Sequence, residues 1–367
     1  MSLKAGIVGL PNVGKSTLFS GLTKMEVESA NYAFTTIDPN VSVVELNDER
    51  IDLLSSIVKT KKTVKATFEF VDIAGLVEGA SKGDGLGNKF LSNIREVDLI
   101  VHVVRCFKND DVLHVENSID AVRDYEIINL ELLLADLQTI NNVKSRIAKR
   151  AINTGDKNLI KEMEIVTKLL NGFNKNIAAR DLDLDEEELK IAKYYQLLTI
   201  KPMLVVGNVS ANFAAEPLQE LEFQKISKFI EKTKNEIIGL SVQIESEIGL
   251  LDSESKDLFL EEYGLKISGL DMLISLSFKW LNLCTYFTVG VQETRAWVFK
   301  KGMSAAQCAG IIHTDFEKNF IRAEVISYDD FIKYDGEKSA KENGKMSLEG
   351  KTYKIKDGDV CNFRIGK

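Results

Sequence analysis

The sequence predicts an α/β fold: a sheet domain covered by helices, a helical hairpin inserted within it, and a small C-terminal α+β unit. Three observations lead there. Short apolar runs at 5–8, 41–46, 67–71, 99–104, 203–206 and 236–240 alternate with helical segments, and several are continuously apolar, as strands covered on both faces are. Between about 126 and 195 the apolar period lengthens to three or four residues, a helical spacing. From about 281 onward the chain becomes β-rich, with strand-like runs at 285–289, 296–299 and 323–326 and turns at Lys301-Gly302 and Asp357-Gly358.

Taken in order, 5–8 reads as a short buried strand, 9–14 as a glycine-containing turn, and 15–24 as a helix. In the middle segment Leu130, Leu133, Leu134, Leu137, Ile140, Val143 and Ile147 form one stripe, and Ile160, Met163, Val166, Leu169 and Leu170 form a second. The turn Asn153-Thr154-Gly155-Asp156 separates them, so two antiparallel helices are expected, packed on each other rather than doing chemistry. The acidic run 181–188 reads as a solvated connection and the start of a helix. The expected division is 1–125 with 196–280 for the sheet domain, 126–195 for the insertion and 281–367 for the C-terminal unit.

Bulk properties limit the function classes. The 367 residues are 44% hydrophobic and 28% charged, enough for real cores. A net charge of −8 argues against a basic coat for nucleic acid, although a local basic patch stays open. No stretch approaches the roughly 18 uninterrupted apolar residues of a membrane helix. Met1-Ser2-Leu3-Lys4 leads into no cleavage-like signal, so no membrane partner and a cytoplasmic location are expected. Cys106, Cys284, Cys308 and Cys361 form no CxxC pair and read as reduced structural thiols.

The chemistry is concentrated near the N-terminus. Gly9-Leu10-Pro11-Asn12-Val13-Gly14-Lys15-Ser16 fits GxxxxGK[ST] between a predicted strand and helix, the context that a phosphate-binding P-loop requires. Glycines let backbone N–H groups wrap inward onto phosphate oxygens, and the helix N-terminus adds positive potential. Asn12, Val13, Gly14, Lys15, Ser16 and Thr17 are therefore expected to bind a nucleoside triphosphate. Lys15 should reach the β- and γ-phosphates and the Ser16 hydroxyl should hold Mg²⁺. Asp72-Ile73-Ala74-Gly75 begins where the 67–71 strand ends, so Asp72 is expected on Mg²⁺ and the Gly75 amide on the γ-phosphate. Between them, Phe34-Thr35-Thr36-Ile37-Asp38-Pro39 suits a switch loop, with Thr36 preferred over Thr35 as a Mg²⁺ ligand. Leu76 follows Gly75, and an aliphatic side chain cannot orient an attacking water. The glycine-rich segment 77–87 suits a second switch.

These blocks in this order resemble the YchF or Obg-like ATPase family of translation-factor-class P-loop proteins. The resemblance rests on Asn31-Tyr32-Ala33-Phe34-Thr35-Thr36-Ile37-Asp38-Pro39-Asn40, Asp72-Ile73-Ala74-Gly75-Leu76 and Gly85-Leu86-Gly87-Asn88-Lys89-Phe90-Leu91. It continues through Leu132-Leu133-Leu134-Ala135-Asp136-Leu137, Arg295-Ala296-Trp297, Ile312-His313-Thr314-Asp315-Phe316 and Glu349-Gly350-Lys351, so it runs nearly the whole chain. It implies a G domain, a coiled-coil-like arm, a C-terminal TGS domain of ubiquitin-like β-grasp shape, ATP hydrolysis often in preference to GTP, and association with the ribosome or ribosomal RNA. A monomer is expected. Asn12 stands where related P-loops resemble potassium-binding ones, which makes K⁺ beside the phosphates a candidate. His114, in a polar loop after the 99–104 strand, is by the same resemblance a candidate for positioning water. His102 and His313 read as structural.

Three departures matter. Ala33 replaces a common proline, and the ending Phe363-Arg364-Ile365-Gly366-Lys367 is unlike the usual one. The third is the base site. Where conventional GTPases carry NKxD and the family resembles NxxE, this chain has Asn208-Val209-Ser210-Ala211. Ala211 offers no acceptor to guanine N1–H and N2, which disfavours GTP, and Asn208 with the Val209 backbone is the expected base contact. Three readings remain: an ATP-preferring switch, a GTPase or relaxed NTPase of the same fold, and a nucleotide-gated RNA- or ribosome-binding protein with negligible turnover.

Overall fold

The computed structural model describes residues 3–25, 40–73, 85–109, 118–154 and 157–366. In chain order the elements begin with β1 (Lys4–Val8), α1 (Lys15–Lys24), β2 (Val41–Glu45), α2 (Glu49–Val58), β3 (Thr63–Val64), β4 (Thr67–Asp72), α3 (Gly85–Glu96) and β5 (Leu99–Arg105). A helical stretch follows, α4 (Ala121–Thr154), α5 (Lys157–Phe173) and α6 (Glu186–Tyr194), then β6 (Met203–Asn208), α7 (Leu221–Ile230), β7 (Glu236–Leu240), α8 (Val242–Ile248), α9 (Ser253–Glu262) and α10 (Gly269–Trp280). The remainder is β8 (Leu283–Thr288), β9 (Thr294–Lys300), α11 (Ala305–Ile312), α12 (Thr314–Lys318), β10 (Phe320–Ile326), α13 (Tyr328–Lys333), α14 (Glu337–Glu342), β11 (Ser347–Glu349) and β12 (Val360–Ile365). No helix among the described residues is long and apolar enough to cross a membrane.

The contacts divide the chain into two compact units, not at the boundaries expected from sequence. Among the described residues, one comprises 3–25, 40–42 and those between 69 and 273, and the other 43–68 and 274–366. The helical insertion thus shares a unit with the sheet, and 43–68 belongs with the C-terminal residues. The reason lies in what α2 buries. Ile51 and Leu54 are fully buried in one cluster with Phe287, Ala296, Ile326 and Phe331. Arg50 reinforces this packing by donating to Asp48 Oδ2, Asp357 Oδ2 and Thr285 Oγ1, each at 2.8 Å. Burial would raise the Asp48 carboxyl, but the hydrogen bonds and charge of Arg50 outweigh it and hold it below its ordinary value.

The first unit is built on a sheet of order β2-β4-β1-β5-β6-β7. From β4 to β7 every pairing is parallel, with Gly6 opposite Val71 and Ile100, and Val103 opposite Val206. Every residue of β5 and β6 is buried, which is why both read as continuous apolar runs. Parallel strands put their C-terminal ends on one edge, and the described residues that follow β1, β5, β6 and β7 gather there.

The insertion is a helical pair. Asp120 opens α4 by accepting from Arg123 N at 3.0 Å. Leu133, Ile140 and Ile147 on α4, with Leu159, Val166 and Phe173 on α5, are buried at intervals of seven, a coiled-coil-like seam. Leu130 and Ile160, assigned above to the stripes, are 44% and 48% exposed and fall off that seam. The acidic run behaves as expected: Asp185 and Glu188 form a capping box that starts α6.

The second unit holds a mixed sheet of order β11-β10-β12-β8-β9-β3. β12–β8 and β3–β9 are parallel, whereas β8–β9, β10–β12 and β10–β11 are antiparallel. Its core joins Tyr286, Phe299 and Phe320 to the small residues Ala305, Cys308 and Ala309 of α11, which let that helix lie close on the sheet. All four cysteines are unpaired thiols.

Candidate functional site

The loop after β1 sits at the collecting edge of the sheet. Gly14 has φ 103°, in the left-handed region that glycine tolerates, and a Cβ there would stand 2.5 Å from Asn208 Nδ2. The next residue, Lys15, opens α1 and is only 9% exposed. Burial lowers its ammonium pKa, opposed by the charge of Asp72. Asp72, at the end of β4, responds in the opposite sense: burial raises its carboxyl, opposed by Lys15. A buried cation and a partly buried anion therefore feel each other's charge here, where a ligand's charge counts for more than in water. Ser16, Thr17 and Asn12 are exposed at the same end, whereas Val13 is buried. Thr36, Gly75 and His114 lie outside the described residues, as do Ala33 and Leu76.

Beside this loop is a cavity of about 640 Å³. Asn12, Gly14 and Thr17 line its β1 side, Phe107–Asn109 follow β5, Asn208–Asn212 close β6, and Ser241–Gln243 with Ser246 and Glu247 belong to β7–α8. Loops that follow four of the strands thus contribute to one pocket, in the size range of small-ligand sites.

Asn208 lines the cavity and has a second task besides the base contact expected of it. Only 4% exposed, it donates through Nδ2 to Val13 O at 3.0 Å and accepts at Oδ1 from Val242 N at 3.1 Å. It latches the phosphate loop to the β7–α8 loop, which leaves its second Nδ2 hydrogen and the second lone pair of Oδ1 for a base. The Val209 N–H is engaged too, donating to Leu240 O at 3.0 Å, and the side chain is 1% exposed. A base contact from Val209 therefore has to come from its carbonyl. Ala211 lines the cavity and supplies no acceptor.

Phe107, Gln243 and Glu247 are lining residues the motif reading missed. A faint signal existed for the first: an arginine, Arg105, closes the otherwise apolar β5 two residues before it. No comparable signal marks Gln243 or Glu247, since neither belongs to a contiguous motif. His102 is buried within β5 and His313 caps α12, its Nδ1 accepting from Asp315 N at 3.2 Å, so both serve the fold.

Comparison with known proteins agrees with this architecture. A family model described as 50S ribosome-binding GTPase matches residues 4–134, and the YchF-GTPase C-terminal model, described as a protein of unknown function, matches 283–366. The ribosome-binding ATPase YchF of Bacillus subtilis is 52% identical over 365 residues, spanning 100% of both chains. That of Escherichia coli O157:H7 is 49% identical over 364 residues, 99% of each. Among solved structures, the YchF GTPase of Schizosaccharomyces pombe superposes with a TM-score of 0.90 at 36% identity, covering 99% of this chain and 98% of that one. With the phosphate loop, the parallel sheet and the C-terminal mixed sheet all matched end to end, the chain belongs to the YchF family.

Proposed function

We propose that this protein is a nucleoside triphosphate hydrolase that prefers ATP to GTP and works in association with the ribosome. The observation that carries the hydrolase reading is the phosphate loop itself, with Lys15 buried at the start of α1 and Asn12, Gly14 and Thr17 lining a nucleotide-sized cavity. Association with the ribosome rests on likeness to curated relatives named as ribosome-binding ATPases.

In this reading the backbone of 9–14 and Lys15 hold the phosphates, with Thr17 beside them. Ser16 and Asp72 offer a hydroxyl and a carboxylate, the hard oxygen donors that suit Mg²⁺, and Thr36 is assigned as the third ligand. When bound, the ion offsets charge building on the phosphate oxygens. Gly75 is assigned to the γ-phosphate, His114 to the attacking water, and Asn12 to a K⁺ ion beside the phosphates. The preference for ATP follows from Ala211, because guanine N1–H and N2 would lose a designed acceptor. The C-terminal unit is assigned as a TGS module of β-grasp type.

Calorimetric titration of ATP and GTP with Mg²⁺ tests the base assignment. A clear ATP preference supports it, equal affinities mean relaxed selection, and a GTP preference overturns it. Lys15→Ala should weaken ATP by about 10- to 100-fold, the loss expected for charge-assisted hydrogen bonds; unchanged affinity would sink the phosphate-site reading. Stimulated turnover on adding ribosomes and K⁺ supports an enzymatic switch, and turnover that stays negligible favours a nucleotide-gated binding protein.

A further inference from the structure

Arg105 carries a full charge at the end of β5, yet it is 1% exposed. Burying a guanidinium is costly unless its donors are satisfied, so what it bonds is informative. Its Nε donates to the Phe107 carbonyl at 3.1 Å and its Nη2 to the Asn109 carbonyl at 2.9 Å. The same guanidinium lies over the Phe107 ring, 4.6 Å from the centroid. Asp124, in the first turn of α4, contributes favourable charge nearby. Both bonded carbonyls belong to the short segment that walls the nucleotide cavity after β5.

The neighbouring backbone is secured independently. Cys106 N–H donates to Asn208 O at 2.9 Å, which ties the end of β5 to β6 without Arg105. Beyond Cys106 the ladder between these strands has ended, since Arg105 opposite Asn208 is its last pair. The guanidinium helps to hold the conformation of 107–109: two carbonyls are bridged by one planar group that also backs an aromatic ring. Lysine cannot reproduce this, having a single point charge and no flat face.

We propose that Arg105 is a positioning residue for nucleotide binding, which holds Phe107 and Asn109 as the wall against which the nucleoside part of the triphosphate lies. It acts through that wall and touches no ligand atom. The inference rests on the nucleotide-binding reading given above and adds to it a division of labour: the loop after β1 serves the phosphates, and Arg105 serves the nucleoside end.

The test uses full-length protein and two probes, Mg²⁺-ATP and Mg²⁺ with inorganic tripolyphosphate, titrated by calorimetry into wild type, Arg105→Lys and Arg105→Gln. Tripolyphosphate engages only the phosphate end. Both variants should bind ATP about 10-fold or more weakly, the loss of one to two hydrogen bonds, while tripolyphosphate affinity stays within about 2-fold of wild type. A purely structural role would weaken both probes together, and that outcome overturns the proposal. ATP affinity unchanged in the glutamine variant, which keeps at most one of the two bonds, overturns it as well. If wild type itself binds tripolyphosphate but gains nothing from the nucleoside, the wall has no function and the inference fails alone; if wild type binds neither probe, the nucleotide reading fails and takes this inference with it.

Discussion

His102 lies in the middle of β5 with no exposed surface, its ring stacked on Tyr125 at 5.4 Å and 21°. Neither ring nitrogen has a hydrogen-bond partner among the described residues. Burial first, and then the charges of Arg180 and Lys15, push its pKa down to about 3. An unfolded chain would restore a value near 6.5, so between about 6.5 and about 3 the unfolded state binds a proton that the folded state refuses. Stability consequently falls as pH drops through that window, by up to about 1.4 kcal/mol per pH unit from this one group. His102→Phe keeps an aromatic ring on Tyr125 and removes the titration. Chemical denaturation at pH 7, 6, 5 and 4 should show the variant losing stability less steeply than wild type; parallel curves would refute this account of the histidine. At the same scale, Gly14 and Asn208 are coupled. Any side chain at 14 would displace the amide that joins the phosphate loop to the β7–α8 loop.

At the scale of elements, the long helix α4 has to be returned to the sheet, and a buried carboxylate does this. Asp136 is 2% exposed and accepts from Leu198 N at 2.8 Å, Thr199 N at 2.7 Å and Thr199 Oγ1 at 2.6 Å, just before β6 begins. Arg180 adds a second tie, donating through Nη1 to Thr199 O at 3.1 Å and through Nη2 to Asn129 Oδ1 at 2.5 Å. Asp136→Ala leaves two backbone N–H groups and a hydroxyl unsatisfied in a dry site. It should cost about 2–4 kcal/mol, read as a lowered denaturant midpoint. A midpoint equal to wild type would mean that water reaches this junction and replaces the carboxylate. The helical seam is in turn covered by Ala179, Ala192, Tyr195 and Leu197, which share its buried cluster.

Across the whole molecule, the C-terminal unit is completed by residues from the first fifth of the chain. β3 adds to the sheet by pairing with β9, with Thr63 opposite Thr294, and α2 covers Phe287, Ile326 and Phe331 with Ile51 and Leu54. The region matched by the C-terminal family model, 283–366, therefore lacks part of its own core. A fragment of 274–367 should unfold at lower temperature than the same unit in the intact chain, since removing that cover exposes large apolar side chains worth about 1.5–3 kcal/mol each. Adding a peptide of 43–68 should recover part of the loss. A fragment that melts cooperatively at the full-length temperature without the peptide would show the cover to be dispensable.

The phosphate site was legible in sequence because its chemistry is local. A backbone cradle needs contiguous residues, so Gly9 to Ser16 announce it, and a strand-end aspartate at 72 is found by counting from an apolar run. The helical pair was legible because a stripe records which face is apolar. What periodicity does not record is the partner that covers that face. Nothing in 43–68 says that it packs on 274–367, and nothing in the Asn208 segment says that its amide bonds Val13 and Val242. The wall of the cavity is likewise a product of parallel strand order, which brings the ends of β5, β6 and β7 together from distant parts of the chain. Sequence by itself determined the strands, the helical arm and the phosphate-loop motif, because each is written in neighbouring residues. Only the tertiary structure decided the division into units and the latch role of Asn208, because those depend on contacts between residues far apart in the chain.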